Sequence, residues 1–128
     1  MGRKRSIDLT PAELRLMEVV WRTGKATVPE VIEALKDSPA PAYNTVLTTM
    51  MILERKGYLR RTASKVGRAF VFHTVVSRQQ ASGNAVRHLL SRFFGDSAEA
   101  LILNLIENKK LSEAELKHVR ELLKEKPQ

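Results

Sequence analysis

Asn44, Thr45 and Thr48 stand in the segment YNTVLTTMMILERKG, residues 43–57. Side chains three and four apart share one side of a helix. An asparagine amide pairs bidentately with adenine N6 and N7, and threonine hydroxyls reach phosphates or base edges. Leu47 and Met51 would join them on that outward side, where apolar contact suits thymine methyl groups. Tyr43 opens the segment and Arg55 lies near its end. The charged residues from Arg55 to Arg68 are Arg55, Lys56, Arg60, Arg61, Lys65 and Arg68, with no acid among them. Cations in such a run meet phosphates, where released counterions drive binding. Arg60, Arg61, Lys65 and Arg68 are expected to position the protein without reading sequence. The chemistry offered is that of reading a DNA duplex. The blander alternatives are an ordinary amphipathic helix with two exposed apolar residues, and a charged strand edge that blocks aggregation.

Three helices and a hairpin must hold these residues. Thr10-Pro11-Ala12-Glu13 is a helix start: Thr10 caps, Pro11 suits the first position and Glu13 completes a capping box. Leu14, Met17, Val20 and Trp21 follow at helical spacing and predict a buried face, which Gly24 ends. Lys25-Ala26-Thr27 suffices for one rung of strand. Thr27 caps a second helix, with Val31, Ile32 and Leu35 as its inward stripe. The prolines of Asp37-Ser38-Pro39-Ala40-Pro41 break the chain. The third helix, residues 43–56, turns Val46, Thr49, Met50 and Leu53 inward. Two helices ahead of a third, joined by a tight turn, is the helix-turn-helix order. Leu59–Ser64 and Ala69–Val76 then read as strands, with Phe70 and Phe72 at period two and a turn at Val66-Gly67.

The formal net charge is +8 over 128 residues. Thirteen of the 22 Lys and Arg, but seven of the 14 acids, precede Ser77. A polyanion would therefore meet the first part of the chain. Arg3, Lys4 and Arg5 form a basic N-terminal arm, read as a solvated tail or a phosphate contact. Without cysteine, disulfides, thiolate metal sites and Cys nucleophiles are excluded. MGRKRSIDL lacks the apolar core of a signal peptide, and no apolar run approaches a bilayer span. The expectation is a soluble cytoplasmic protein with no membrane binding. His73, His88 and His118 are dispersed and predict no metal site. No phosphate loop, HExxH or nucleophile elbow occurs, and Glu113 and Glu115 belong to a capping box. An enzyme is not expected, nor a cofactor.

The character changes at Ser77. Ser77 caps a helix to about Phe94, broken by Gly95-Asp96. Ser97 caps ALILNLIEN, and Ser112-Glu113-Ala114-Glu115 opens a last helix to about Lys124. Three such helices are too few to bury their own apolar faces. Leu89, Leu90, Phe93, Phe94, Leu101, Ile102, Leu105, Ile106, Leu116 and Leu122 are the expected dimerisation residues. A fold-back of this segment on the first domain is the alternative. The fold class is mainly α with a small antiparallel β-hairpin. It comprises a winged helix-turn-helix over residues 1–76 and a helical dimerisation region over 77–128.

LTPAELRLMEVVW, then TVPEVIEALKDSPAPAYNTVLTTMMILERKGYLRR, GRAFVFHTVVS and FFGDSAEALILNLIENKKLSEAELKHVRELL together resemble the penicillinase-repressor family, the BlaI/MecI type. The resemblance implies a homodimeric transcriptional repressor on dyad-symmetric operators. By position, Tyr43, Asn44, Thr45, Leu47 and Thr48 fall on its reading helix. Thr45 and Thr48 match the family pattern. Asn44 and Leu47 sit at variable positions, so the base preference of other members does not carry over. In the β-lactam-responsive members a membrane sensor-protease triggers cleavage in the C-terminal helices. The matching bond here is Asn104-Leu105, where the best-known form has Phe after the Asn. A copper-responsive branch carries a cysteine-rich tail, which this chain lacks. Two other functions remain open: a winged-helix regulator that senses a small molecule, and a protein-interaction module without DNA binding.

Overall fold

The computed structural model describes residues 8–36, 39–64, 67 and 69–125. The basic arm, the Asp37-Ser38 break and the tip residues Lys65, Val66 and Arg68 lie outside the described residues. The chain falls into two compact units, Met1–Ala85 and Val86–Gln128.

In the first unit, α1 spans Pro11–Thr23, β1 Lys25–Ala26, α2 Val28–Ala34, α3 Tyr43–Arg55, β2 Leu59–Ala63 and β3 Phe70–Thr74. The capping boxes form as the sequence demands. Thr10 N–H donates to Glu13 Oε1 at 2.9 Å and Glu13 N–H to Thr10 Oγ1 at 3.1 Å. Thr27 and Glu30 repeat the exchange at 2.8 and 3.2 Å. Such caps satisfy backbone donors that the first helical turn leaves open. Gly24, at φ 84°, closes α1 in the left-handed region and sends its N–H to the Val20 carbonyl at 2.7 Å.

The buried face of α1 differs from the expected stripe. Leu14 is 42% exposed, whereas Leu16, Met17, Val19 and Val20 are buried. LRLMEVVW offers apolar residues on two adjacent stripes. The phase is decided by Glu13, which is only 6% exposed and turns inward. Its Oε1 accepts from Lys56 Nζ at 2.7 Å, and the same ammonium donates to the Asp8 carbonyl at 3.1 Å. Burial alone would raise the Glu13 carboxyl. The Lys56 ammonium and the Thr10 backbone outweigh it and hold the group below its ordinary value.

The sheet order is β1-β3-β2, antiparallel throughout, so the two-residue β1 pairs with the last strand, beside the hairpin. Ala26, Phe72 and Arg61 lie abreast, as do Lys25, His73 and Arg60. Phe72 is fully buried while Phe70, two residues earlier on the same face, is 46% exposed. The hairpin there extends past the core. Met17, Val20, Val31, Val46, Met50, Leu53 and Phe72 make one hydrophobic cluster. Trp21 packs at its rim, and its indole N–H donates to the Val76 carbonyl at 2.8 Å. Removing the Phe72 ring from such a site costs about 3–5 kcal/mol.

Helix α4 spans Arg78–Phe93, α5 Ala98–Glu107 and α6 Glu113–Glu125. Ser77 forms a capping box with Gln80 at 2.9 and 3.0 Å, and Ser112 one with Glu115 at 3.0 and 3.1 Å. Ser97 Oγ accepts from Ala100 N–H at 3.0 Å. Positive φ at Gly95 and Asp96 turns the chain between α4 and α5. Not one residue of α4, α5 or α6 is buried.

Neutralising Glu13 leaves a partly buried ammonium without its partner. Glu13→Gln is therefore expected to lower unfolding stability by about 1–3 kcal/mol at neutral pH. A carboxyl held low in the fold contributes stability above its unfolded value and loses it as pH falls through the folded one. Urea midpoints of the parent should drop as pH falls below the ordinary carboxyl value of 4.5, and the variant should drop less over that range. Parallel pH profiles for the two proteins would refute the pairing.

Candidate nucleic-acid interface

The inward stripe of α3 is Val46, Met50 and Leu53, all buried; Thr49 is half-buried. Its Oγ1 donates to the Thr45 carbonyl at 2.8 Å, so this hydroxyl is used within the helix. On the other side Tyr43, Asn44, Thr45, Thr48, Met51 and Arg55 are exposed. Among the described residues, the side chains of Asn44, Thr45, Thr48 and Arg55 have no hydrogen-bond or ion-pair partner. Polar groups free of internal partners, on a face fixed by a packed opposite side, can bond to a ligand without breaking anything.

Leu47 departs from the expected outward position. It is half-buried and packs against the core cluster. Leu47 follows the buried Val46 by one residue and precedes the buried Met50 by three, so it stands at the edge of the inward stripe, where an apolar side chain is drawn inward.

The two arginines of β2 do not act alike. Adjacent strand residues point to opposite faces. Arg61 shares the face of Phe72 and Ala26, which continues past the core toward α3. There its Nε lies 3.3 Å from Glu54 Oε1, and its guanidinium stands 4.9 Å from the centre of the Phe70 ring. Arg60 shares the other face with His73 and Lys25. Thr62 Oγ1 meets His73 Nε2 at 2.9 Å. Burial, with Arg60 and Lys25 adding to it, holds His73 below its usual value. Lys25 was not among the sequence-based candidates. Its two-residue strand pairs with a segment nearly fifty positions away, a contact no local pattern signals. Lys56, one of the basic run, is taken up by Glu13.

In the second unit the expected dimerisation residues divide. Leu89, Phe93, Ile102, Ile106 and Leu122 are exposed, Phe93 to 70%, whereas Leu90, Phe94, Leu101, Leu105 and Leu116 are half-buried. Val86, Leu103, Val119 and Leu123 are further exposed apolar residues that the sequence-based set omitted. Leu123 adjoins Leu122, and Leu103 belongs to a helix apolar on most sides, so both were within reach of the pattern. Asn104 is exposed on α5.

Leu47→Ala should lower the melting temperature, by about 1–2 kcal/mol in stability, because a half-buried leucine loses its packing. Thr48→Ala, one residue on and exposed, should leave it unchanged. Equal melting temperatures for the two variants would return Leu47 to the solvent face.

Residues 9–125 match the penicillinase repressor family. The chain is 28% identical over 122 residues to the penicillinase repressor of Bacillus licheniformis, covering 95% of this chain and 94% of that protein. It is 21% identical over 122 residues to the methicillin resistance regulatory protein MecI of Staphylococcus aureus, covering 95% and 98%. The solution structure of the DNA binding domain of the repressor BlaI superposes with a TM-score of 0.51 at 28% identity, over 61% of this chain and 93% of that one. The winged-helix architecture of the first unit agrees with that likeness. On the match across nearly its whole length, this chain belongs to the penicillinase repressor family.

Proposed function

We propose that this DNA-binding repressor acts as a homodimer on operators of two-fold symmetry, each copy laying the outward side of α3 in a major groove. The observation that carries the proposal is the face of Asn44, Thr45, Thr48 and Arg55, exposed and without partners among the described residues, over a packed inner stripe. Asn44 and Thr45 stand in the first turn of α3, the part of a recognition helix that meets base edges. Ala42 caps α3 without any side-chain hydrogen bond. The backbone donors of that turn are thereby open to a phosphate. Arg61 on the wing, with Lys65 and Arg68 by charge alone, supplies the backbone contacts.

Dimerisation is supported by the second unit. The helices α4, α5 and α6 expose Leu89, Phe93, Ile102, Ile106 and Leu122 and bury no residue within one chain. Apolar faces of that extent call for a partner, and a second copy supplies the same face by symmetry. Two reading helices would then sit about 34–36 Å apart, or a multiple of that. Loss of one half-site removes the avidity of the pair, so modest damage to the clasp releases the operator.

Proteolysis at Asn104-Leu105, by a membrane sensor-protease or its product, is one way to cause that damage. The bond lies inside α5. Its Asn104 carbonyl accepts from Asn108 N–H at 3.0 Å and from Asn108 Nδ2 at 2.8 Å. A protease that takes extended substrate must first unwind this turn. No described helix is long and apolar enough to cross a membrane. The DNA target puts the repressor's work in the cytoplasm. A second route of induction is favoured by a groove of about 630 Å³ lined by Leu9, Leu14, Trp21 and Ala81, with the Arg78–Glu18 ion pair at its side. A small apolar effector would suit it.

Sedimentation at micromolar concentration should give a dimer. Phe93→Asp, at an exposed site, should give a folded monomer with much weaker operator binding. A parent chain that stays monomeric with and without DNA would overturn the dimer. Duplexes selected from a random pool should show two-fold symmetry. Asn44→Ala should relax preference at one base position by about 1–3 kcal/mol. Unchanged selectivity at every position would remove Asn44 as a reader, and no shifted duplex at all would favour a protein-interaction module.

A further inference from the structure

We infer that Glu54 is a positioning residue for DNA binding: it and Phe70 preorganise Arg61 to grip a phosphate beside the groove that α3 enters. The inference rests on the DNA-binding reading and goes further, to a residue that itself carries the wrong charge for a phosphate. Glu54 is the sole acid in the sequence from Tyr43 to Ser77. A lone carboxylate in a basic reading surface opposes the polyanion, unless it does something for a neighbouring cation.

The geometry supplies that something. Glu54 Oε1 lies 3.3 Å from Arg61 Nε, with both side chains about one-third exposed. Glu54 follows the buried Met50 by four residues and the exposed Met51 by three, so it stands where the inward and outward sides of α3 meet, and Arg61 is held along that edge. The Phe70 ring, 4.9 Å from the guanidinium carbon, offers a face for the cation. A guanidinium is a planar fork of five donors. With Nε turned to Glu54 and one face to Phe70, its two terminal amino groups remain for a bidentate phosphate contact. An unheld arginine would lose rotamer freedom on reaching the same contact. Here that loss is already taken in the free protein. Arg60 has no such support, since strand alternation puts it on the far face with His73 and Lys25.

The test uses the full chain and a duplex selected from a random pool, with a scrambled duplex of equal length beside it. Binding is measured across a salt series for the parent, Arg61→Ala, Glu54→Asp, Glu54→Gln and the Glu54→Asp/Arg61→Ala pair. Arg61→Ala should weaken both duplexes by about tenfold and flatten the salt slope by about one unit per lost contact. Glu54→Asp keeps the charge but draws the carboxylate back by a methylene. It should weaken binding several-fold in the parent and change nothing once Arg61 is alanine. Phe70→Leu should follow the same pattern. Unaltered melting temperatures confirm that each variant folds. If Glu54→Asp binds as the parent does while Glu54→Gln binds every duplex more tightly, Glu54 is merely a repelling charge and the assignment fails. It also fails if the Asp and Ala effects simply add. A parent chain that shifts no duplex removes the DNA reading itself, and this assignment with it; a failed cycle on a parent that binds removes the assignment alone.

Discussion

The direction in which α3 faces depends on three side chains, Val46, Met50 and Leu53, seated in the core against α1 and α2. Because these lie on one side of the helix, their burial leaves Asn44, Thr45, Thr48 and Arg55 no place but the surface. The partly buried Glu13–Lys56 pair works to the same end. It joins the cap of α1 to the residue that closes α3, so the helix is fixed at its end as well as along its side. Paired charges of this kind add little net stability, but leaving one unpaired is costly, which makes the register strict. The wing is set from the same core by Phe72 and Leu59. A surface able to read a duplex is thus the far side of a hydrophobic packing problem.

Most of that architecture was legible in the residues. Thr10 with Glu13, Thr27 with Glu30 and Ser112 with Glu115 fix helix starts through local chemistry, and local chemistry is what a sequence displays. Phe72 and the glycines did the same for the hairpin and for the end of α1. What failed was phase and facing. Leu14 and Leu16 are equally apolar, and only the Glu13–Lys56 contact, 43 residues apart in the chain, decides which one turns inward. Leu47 lies between two faces, and its burial depends on what the core can accommodate. Arg60 and Arg61 are neighbours of the same type, yet the strand separates them onto opposite sides. For the leucines the deciding contact is tertiary; for the arginines it is strand alternation, with the core selecting which face turns inward.

The second unit poses the opposite problem. Its helices begin where their caps say, but within one chain they bury no residue. Propensity and caps seldom hold short helices in water, since most helical stability in proteins comes from a packed apolar face. Phe93, Leu123 and Leu103, the unit's most exposed large apolar residues, have most to gain from cover. In the proposed dimer, stability and assembly are one quantity, dependent on protomer concentration. Loosening the interface of that dimer would release the operator while the reading surface stays intact.

Charge counting alone would have misjudged the first unit. Of the basic residues described between Arg55 and Arg61, Lys56 is committed to Glu13 and Arg61 to Glu54, while Arg60 faces away beside His73 and Lys25. Only Arg55 is both unengaged and on the outward side of α3. The same Arg60 and Lys25 add to burial in holding His73 below its usual value. The excess of cations therefore steers the molecule toward a polyanion from a distance. In the proposed complex, contact at close range falls to a few groups, and strand alternation and ion pairing determine which they are.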